Sequence, residues 1–146
     1  MNIEKIKNSI RSAKVISFDL FDTLFYRPYL NPNDLFFHLE MIYKRPLYAD
    51  QRIISEKNTR FLSSKEEITY DQIYDNIDEN FKDMKYKELS LEFKSILLNE
   101  EVKYLYDYAK SLKKEVIFTS DMYLAARFIE KLLTKFEIND YSALYV

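Results

Sequence analysis

The chain has 146 residues, 47% of them hydrophobic and 32% charged, with a formal net charge of −2. That length suits one ordinary domain, and this apolar fraction belongs to a folded chain, not a disordered one. The absences exclude more. With no Cys there is no disulfide framework, thiol nucleophile or cysteine zinc site. With no Gly, phosphate loops of the Walker type and dinucleotide fingerprints are excluded, because both bring glycine backbone against phosphate. One His, His38, argues against multi-histidine metal sites and a Ser-His-Asp triad. Lys110, Lys113 and Lys114 form only a short basic cluster diluted by acids, so no nucleic-acid partner is expected. No apolar run reaches the 18 or more residues of a membrane span, and residues 1–14 are charged throughout, unlike a signal peptide. These features place the protein in the cytoplasm, away from membranes.

Ile3, Ile6 and Ile10 predict an amphipathic helix over residues 3–13. Val15, Ile16, Ser17 and Phe18 read as a short buried strand ending at Asp19. An apolar loop follows to Leu30. Asn31-Pro32 opens a helix, since proline early in a helix sacrifices no hydrogen bond. Its apolar face is Leu35, Phe36, Leu39, Ile42 and Tyr43, and Pro46 marks its end. Residues 48–62 form a more polar helix. Thr69 and Gln72 fit a capping box, with a short helix through Ile73 and Ile77. Residues 86–98 predict a helix burying Leu89, Phe93, Ile96 and Leu97, and residues 101–112 another burying Val102, Leu105, Tyr106 and Ala109. Val116 to Thr119 is a second strand. Residues 122–136 are the clearest helix, with Ala125, Phe128, Ile129, Leu132, Leu133 and Phe136 facing inward. Residues 143–146 read as a third strand.

Apolar strands separated by helices imply an α/β fold with a parallel sheet. A strand-helix-strand unit takes about 30 residues, yet almost a hundred separate the first two strands. Residues 28–99 are therefore expected to be a helical insertion, and residues 1–27 with 100–146 the α/β core. Ligands in such sheets bind at the carboxyl ends of the strands.

Two runs put chemistry there. The first, Ser17-Phe18-Asp19-Leu20-Phe21-Asp22-Thr23-Leu24, places a carboxylate at a strand end, then a second carboxylate and a hydroxyl in an apolar turn. Carboxylates beside a core either cap the turn through backbone amides or serve chemistry. The second, Thr119-Ser120-Asp121-Met122-Tyr123-Leu124, puts a hydroxyl and a carboxylate where a helix is expected to begin. That is either a helix cap or an anion site in which Ser120 and helix N-terminal amides hold a phosphate. Tyr26 and Arg27 are either a solvated loop or contacts for an anionic substrate. His38 is expected to be a surface or partly packed helix residue.

The two runs resemble the haloacid dehalogenase (HAD) superfamily of hydrolases and phosphotransferases. They look most like a bacterial subgroup whose members are sometimes fused to, or encoded beside, surface-polysaccharide glycosyltransferases. The resemblance implies a partial three-layer HAD-like core with an inserted all-helical cap that selects a phosphorylated small-molecule substrate. It implies Asp19 as the nucleophile that becomes an acyl-phosphate, Thr23 and Ser120 as residues positioning the phosphoryl group, and a Mg²⁺ ion held by Asp19 and the Phe21 carbonyl. Three departures bear on this. The family's phosphatases carry an acid/base Asp two residues after the nucleophile, where this chain has Phe21, so Asp22 or Asp121 would have to stand in. An aromatic at that point also occurs in dehalogenases, which leaves a metal-independent carbon–halogen hydrolase as one alternative. The family's Lys after the third strand and its acidic metal motif after a fourth have no counterpart before Val146. The expectation is thus the N-terminal part of a larger protein, or a chain needing a partner or a second copy to cover an exposed first strand. A catalytically incomplete interaction module is the other alternative.

Overall fold

The computed structural model describes residues 2–65 and 67–146. In chain order the elements are α1 (Ile3–Ser12), β1 (Val15–Asp19), β2 (Phe25–Tyr26), α2 (Asp34–Tyr43), α3 (Tyr48–Leu62), α4 (Tyr70–Asp75), a 3₁₀ helix (Glu79–Met84), α5 (Lys85–Ser95), β3 (Leu97–Leu98), α6 (Glu100–Ser111), β4 (Glu115–Thr119), α7 (Ala126–Lys135) and β5 (Ala143–Tyr145). The fold is α/β. One sheet is parallel, in the order β1-β4-β5, and a second, two-stranded sheet pairs β2 with β3 antiparallel. The chain divides into two compact units: Met1–Tyr26, Leu97–Met122 and Ala126–Val146 form the first, Arg27–Ile96 with Tyr123–Ala125 the second.

In the first unit β4 is central, and its Val116 and Phe118 are buried. Phe18 lies opposite Phe118 in the register, and both rings pack on Tyr106 of α6. Val102, Leu105, Tyr106 and Ala109 do form the buried stripe of α6; on α7 Ile129, Leu132 and Leu133 are buried, whereas Phe128 and, just past the helix, Phe136 are half-buried and Ala125, ahead of it, is exposed. Strand β1 is at the sheet edge, where Val15 is 45% exposed.

The second unit is helical, and its interior is unusually polar. Helix α3 buries Tyr48, Ala49, Arg52, Ser55 and Thr59. Helix α5 buries Glu88 and Glu92, not the expected Leu89 and Phe93, which are half-buried, and Leu97 leaves the helix to join β3. The reason is a charge pair. Arg52 donates from Nε and Nη2 to Glu88, and the Tyr48 and Tyr74 hydroxyls donate to the same carboxylate at 2.7 and 2.6 Å. Buried charges persist when they are paired and hydrogen-bonded, and this pairing turns the charged side of α5 inward. Helix α2 begins at Asp34, not at Pro32, and leaves Ile42 and Tyr43 exposed. The Thr69–Gln72 capping box is present in both its bonds. Among the described residues no helix is long and apolar enough to cross a membrane.

Candidate functional site

Parallel neighbours end at the same edge of a sheet. Strand β1 ends at Asp19 and β4 at Thr119, and these two residues are register partners. The carboxylate of the first run and the hydroxyls of the second therefore share one sheet edge, within the first unit. Side chains alternate along a strand. Phe18 points into the core, and Asp19 lies on the other face, exposed, with Ser17 and Thr119, whose hydroxyls are 3.5 Å apart.

The turn after Asp19 is held by its apolar residues. Leu20, Leu24 and Phe25 are fully buried, and Phe21 is buried against Phe25. The Phe25 amide donates to the Leu20 carbonyl at 2.8 Å, closing the loop. Closure needs a left-handed residue, and in a chain without glycine Asp22 supplies it at φ 58°. Aspartate is one of the few other residues that tolerate this conformation. The turn returns Thr23 to the strand end, where its hydroxyl donates to Asp19 Oδ2 at 2.7 Å. A hydrogen bond to a carboxylate is roughly twice as strong as a neutral one. It fixes one carboxylate oxygen, Oδ2, of an exposed side chain.

The loop is also held from a residue far along the chain. Asn99 donates from its amide to the Leu24 carbonyl at 2.8 Å and from Nδ2 to the Thr23 carbonyl at 2.9 Å. Its Oδ1 accepts from the Glu101 amide, capping α6. Asn99 is not among the candidates the sequence singles out, although an Asn before two acids is a helix-start signal that points to the cap. No local pattern points to its bond with a loop 76 residues earlier.

Ser120 is half-buried. Its amide donates to the Tyr145 carbonyl at 2.9 Å, so β5 seats it, and its Oγ accepts from the Met122 amide at 3.2 Å. The helix expected directly after it is not there. Helix α7 begins at Ala126 instead of residue 122, so helix N-terminal amides do not meet Ser120. The intervening backbone serves the second unit. Tyr123 accepts the Tyr70 amide on its carbonyl and stacks on the Tyr70 ring, and Leu124 is buried.

The structure thus bonds Asp19 to Thr23 and brings Ser120 to the same edge. Asp22 and Asp121 are exposed on the flanking loops. Arg27 is not offered to a substrate: it is nearly buried and paired with Glu92 at 2.6 Å, within the second unit. Tyr26 is exposed in β2. His38 is an exposed helix residue whose Nδ1 lies 2.8 Å from the Tyr29 hydroxyl. Among the described residues no group of three or more His, Asp or Glu side chains is placed to hold a metal ion. Magnesium takes near-octahedral oxygen ligation. Asp19 and the Phe21 carbonyl fall short of a protein-built site for it, so no catalytic step is assigned to the metal.

Compared with known proteins, the chain matches no family model and no curated sequence.

Proposed function

We propose that the first unit is a phosphoryl-transfer domain of HAD type, a hydrolase or phosphotransferase acting on a phosphorylated small molecule in the cytoplasm. The observation that carries this reading is the 2.7 Å bond from Thr23 to Asp19 at the carboxyl end of a parallel strand. It orients a solvent-facing carboxylate beside the hydroxyls of the neighbouring strand end. In this reading Asp19 Oδ1 attacks phosphorus in line. The bond to the leaving oxygen breaks, and an acyl-phosphate forms on Asp19. Water then attacks that phosphorus, releasing phosphate and restoring the carboxylate. Ser120 and Thr23 orient the phosphoryl oxygens. Such catalysis is mostly positioning and electrostatics. The helical unit acts as the cap that selects substrate.

The leaving group needs a proton unless it is a good one. Phe21 cannot give it, and general-acid help is typically worth 10²–10⁴-fold. Asp22 and Asp121 are the acids on the adjoining loops. The chain is accordingly expected to prefer substrates with acidic leaving groups. A second reading, a non-catalytic binding module, is favoured by one observation, the lack of an acid cluster among the described residues. The buried ring of Phe21 is explained by its packing on Phe25, so it gives the carbon–halogen alternative no separate support. The test is hydrolysis of an aryl phosphate, with and without Mg²⁺, beside Asp19→Asn. Turnover lost in the variant supports the enzyme. Equal rates for both proteins favour the module.

A further inference from the structure

We infer that Asn99 is a positioning residue for the Asp19 nucleophile, an inference that rests on the phosphoryl-transfer reading of the same site. Three of the hydrogen bonds that hold the loop between Asp19 and β2 are made by its backbone carbonyls. The Phe25 amide donates to the Leu20 carbonyl at 2.8 Å, the Asn99 amide to the Leu24 carbonyl at 2.8 Å, and Asn99 Nδ2 to the Thr23 carbonyl at 2.9 Å. Two are backbone bonds that no side-chain change removes. The third is a side-chain bond, and it falls on the residue whose hydroxyl orients Asp19.

The geometry makes Asn99 rigid enough for this role. It follows β3, whose Leu98 pairs with Phe25 in the two-stranded sheet. Its Oδ1 is committed to the Glu101 amide as the cap of α6. With one end of the side-chain amide fixed to the helix start, the other end has a defined direction, and it meets Thr23. Thr23 in turn can direct its hydroxyl to Asp19 Oδ2 only while its backbone stays in place. Loss of the Nδ2 bond lets Thr23 turn, frees Oδ2 and widens the range of Asp19 rotamers. A small misplacement of a nucleophile costs rate more than binding.

Asn99→Asp separates this role from the cap. Aspartate caps a helix about as well as asparagine, but it sets a carboxylate oxygen against the Thr23 carbonyl where a donor stood. The experiment measures aryl phosphate turnover by wild type, Asp19→Asn and Asn99→Asp, together with amide hydrogen exchange. The expected result is a fall in kcat for Asn99→Asp of about 10- to 100-fold with KM within about twofold, faster exchange at the Phe25 amide, which closes the loop onto Leu20, and unchanged exchange along α6. Wild-type kcat in Asn99→Asp overturns the inference and leaves the phosphoryl-transfer reading standing. A fall in kcat with α6 unprotected also overturns it, because the residue then acts through the helix. Wild-type turnover no greater than that of Asp19→Asn overturns the reading itself, and the inference falls with it.

Discussion

Removing the charge of Glu88 should unfold the helical unit more readily than any other isosteric change in it. Glu88 is 3% exposed and Arg52 fully buried. The Arg52 guanidinium approaches the carboxylate at 3.0, 3.1 and 3.2 Å, and two tyrosine hydroxyls add bonds of 2.7 and 2.6 Å. Burial works against the charge on Arg52, but Glu88, Tyr123 and Glu56 together outweigh it and raise the guanidinium pKa. Glu88→Gln leaves that cation with Glu56 at 3.1 Å as its remaining carboxylate and with the faces of Phe36 and Tyr123. Breaking one side of a buried ion pair typically costs about 3–5 kcal/mol. The partly exposed Glu56 and the rings, whose cation–π contacts are worth about 0.5–2 kcal/mol, offset part of this, so about 3 kcal/mol is expected. Urea unfolding followed by circular dichroism measures it. Arg52→Met should cost a similar amount. The double variant Arg52→Met/Glu88→Met should cost less than the sum of the two single variants, because no lone charge stays buried. A loss below about 1 kcal/mol for Glu88→Gln, or strictly additive losses, would refute the idea that this pair organises the unit.

Other expectations follow from the same physics. Burial raises the hydroxyl pKa of Tyr48, Tyr70 and Tyr74, with Glu88 adding to the effect. Groups whose folded pKa is raised stabilise fully below the unfolded value, about 10 for tyrosine, and that stability is lost as pH rises through it. Such groups make stability fall as pH rises above about 10, so in an absorbance titration these tyrosines should ionise only as the circular dichroism collapses. Burial also raises the Glu92 carboxyl against the opposing pull of Arg27. Its contribution to stability should fall as pH rises above about 4.3, the unfolded value, and Glu92→Gln should flatten stability against pH there. Thr69→Ala removes one half of the capping box and should cost about 1 kcal/mol in the same urea assay. Glu137 sits at φ 58° just beyond α7. Left-handed geometry costs a non-glycine residue about 1–2 kcal/mol, so Glu137→Gly should raise stability despite its larger unfolded-state entropy. An unchanged or lowered melting temperature would count against that strain.

What the sequence disclosed depended on whether a pattern was local. The stripes of α6 and α7 and the short apolar runs of β1, β4 and β5 were readable because spacing alone decides them. In α5 the leucine and phenylalanine spacing looks like a core face, yet Glu88 and Glu92 are the residues it buries. The choice was made by Arg52, 36 residues away, which no local pattern reveals. Helix α7 starts later than its spacing predicts for the same reason: Tyr123 and Leu124 belong to the second unit instead of joining the helix. The short β2–β3 pairing has no sequence signal, because two-residue strands carry no periodicity. At the site, Asp19 and Thr23 were identifiable from a five-residue run, whereas the hold of Asn99 on Thr23 depends on a long-range fold.

The central claim is that Asp19 is a nucleophile toward phosphorus. The most direct test is to incubate the protein with an aryl phosphate, quench with hydroxylamine, and search the peptides for a hydroxamate, the product of hydroxylamine with an acyl-phosphate. The expected result is a hydroxamate on Asp19 that is lost in Asp19→Asn. A hydroxamate on Asp22 or Asp121, or turnover with none on Asp19, would contradict it.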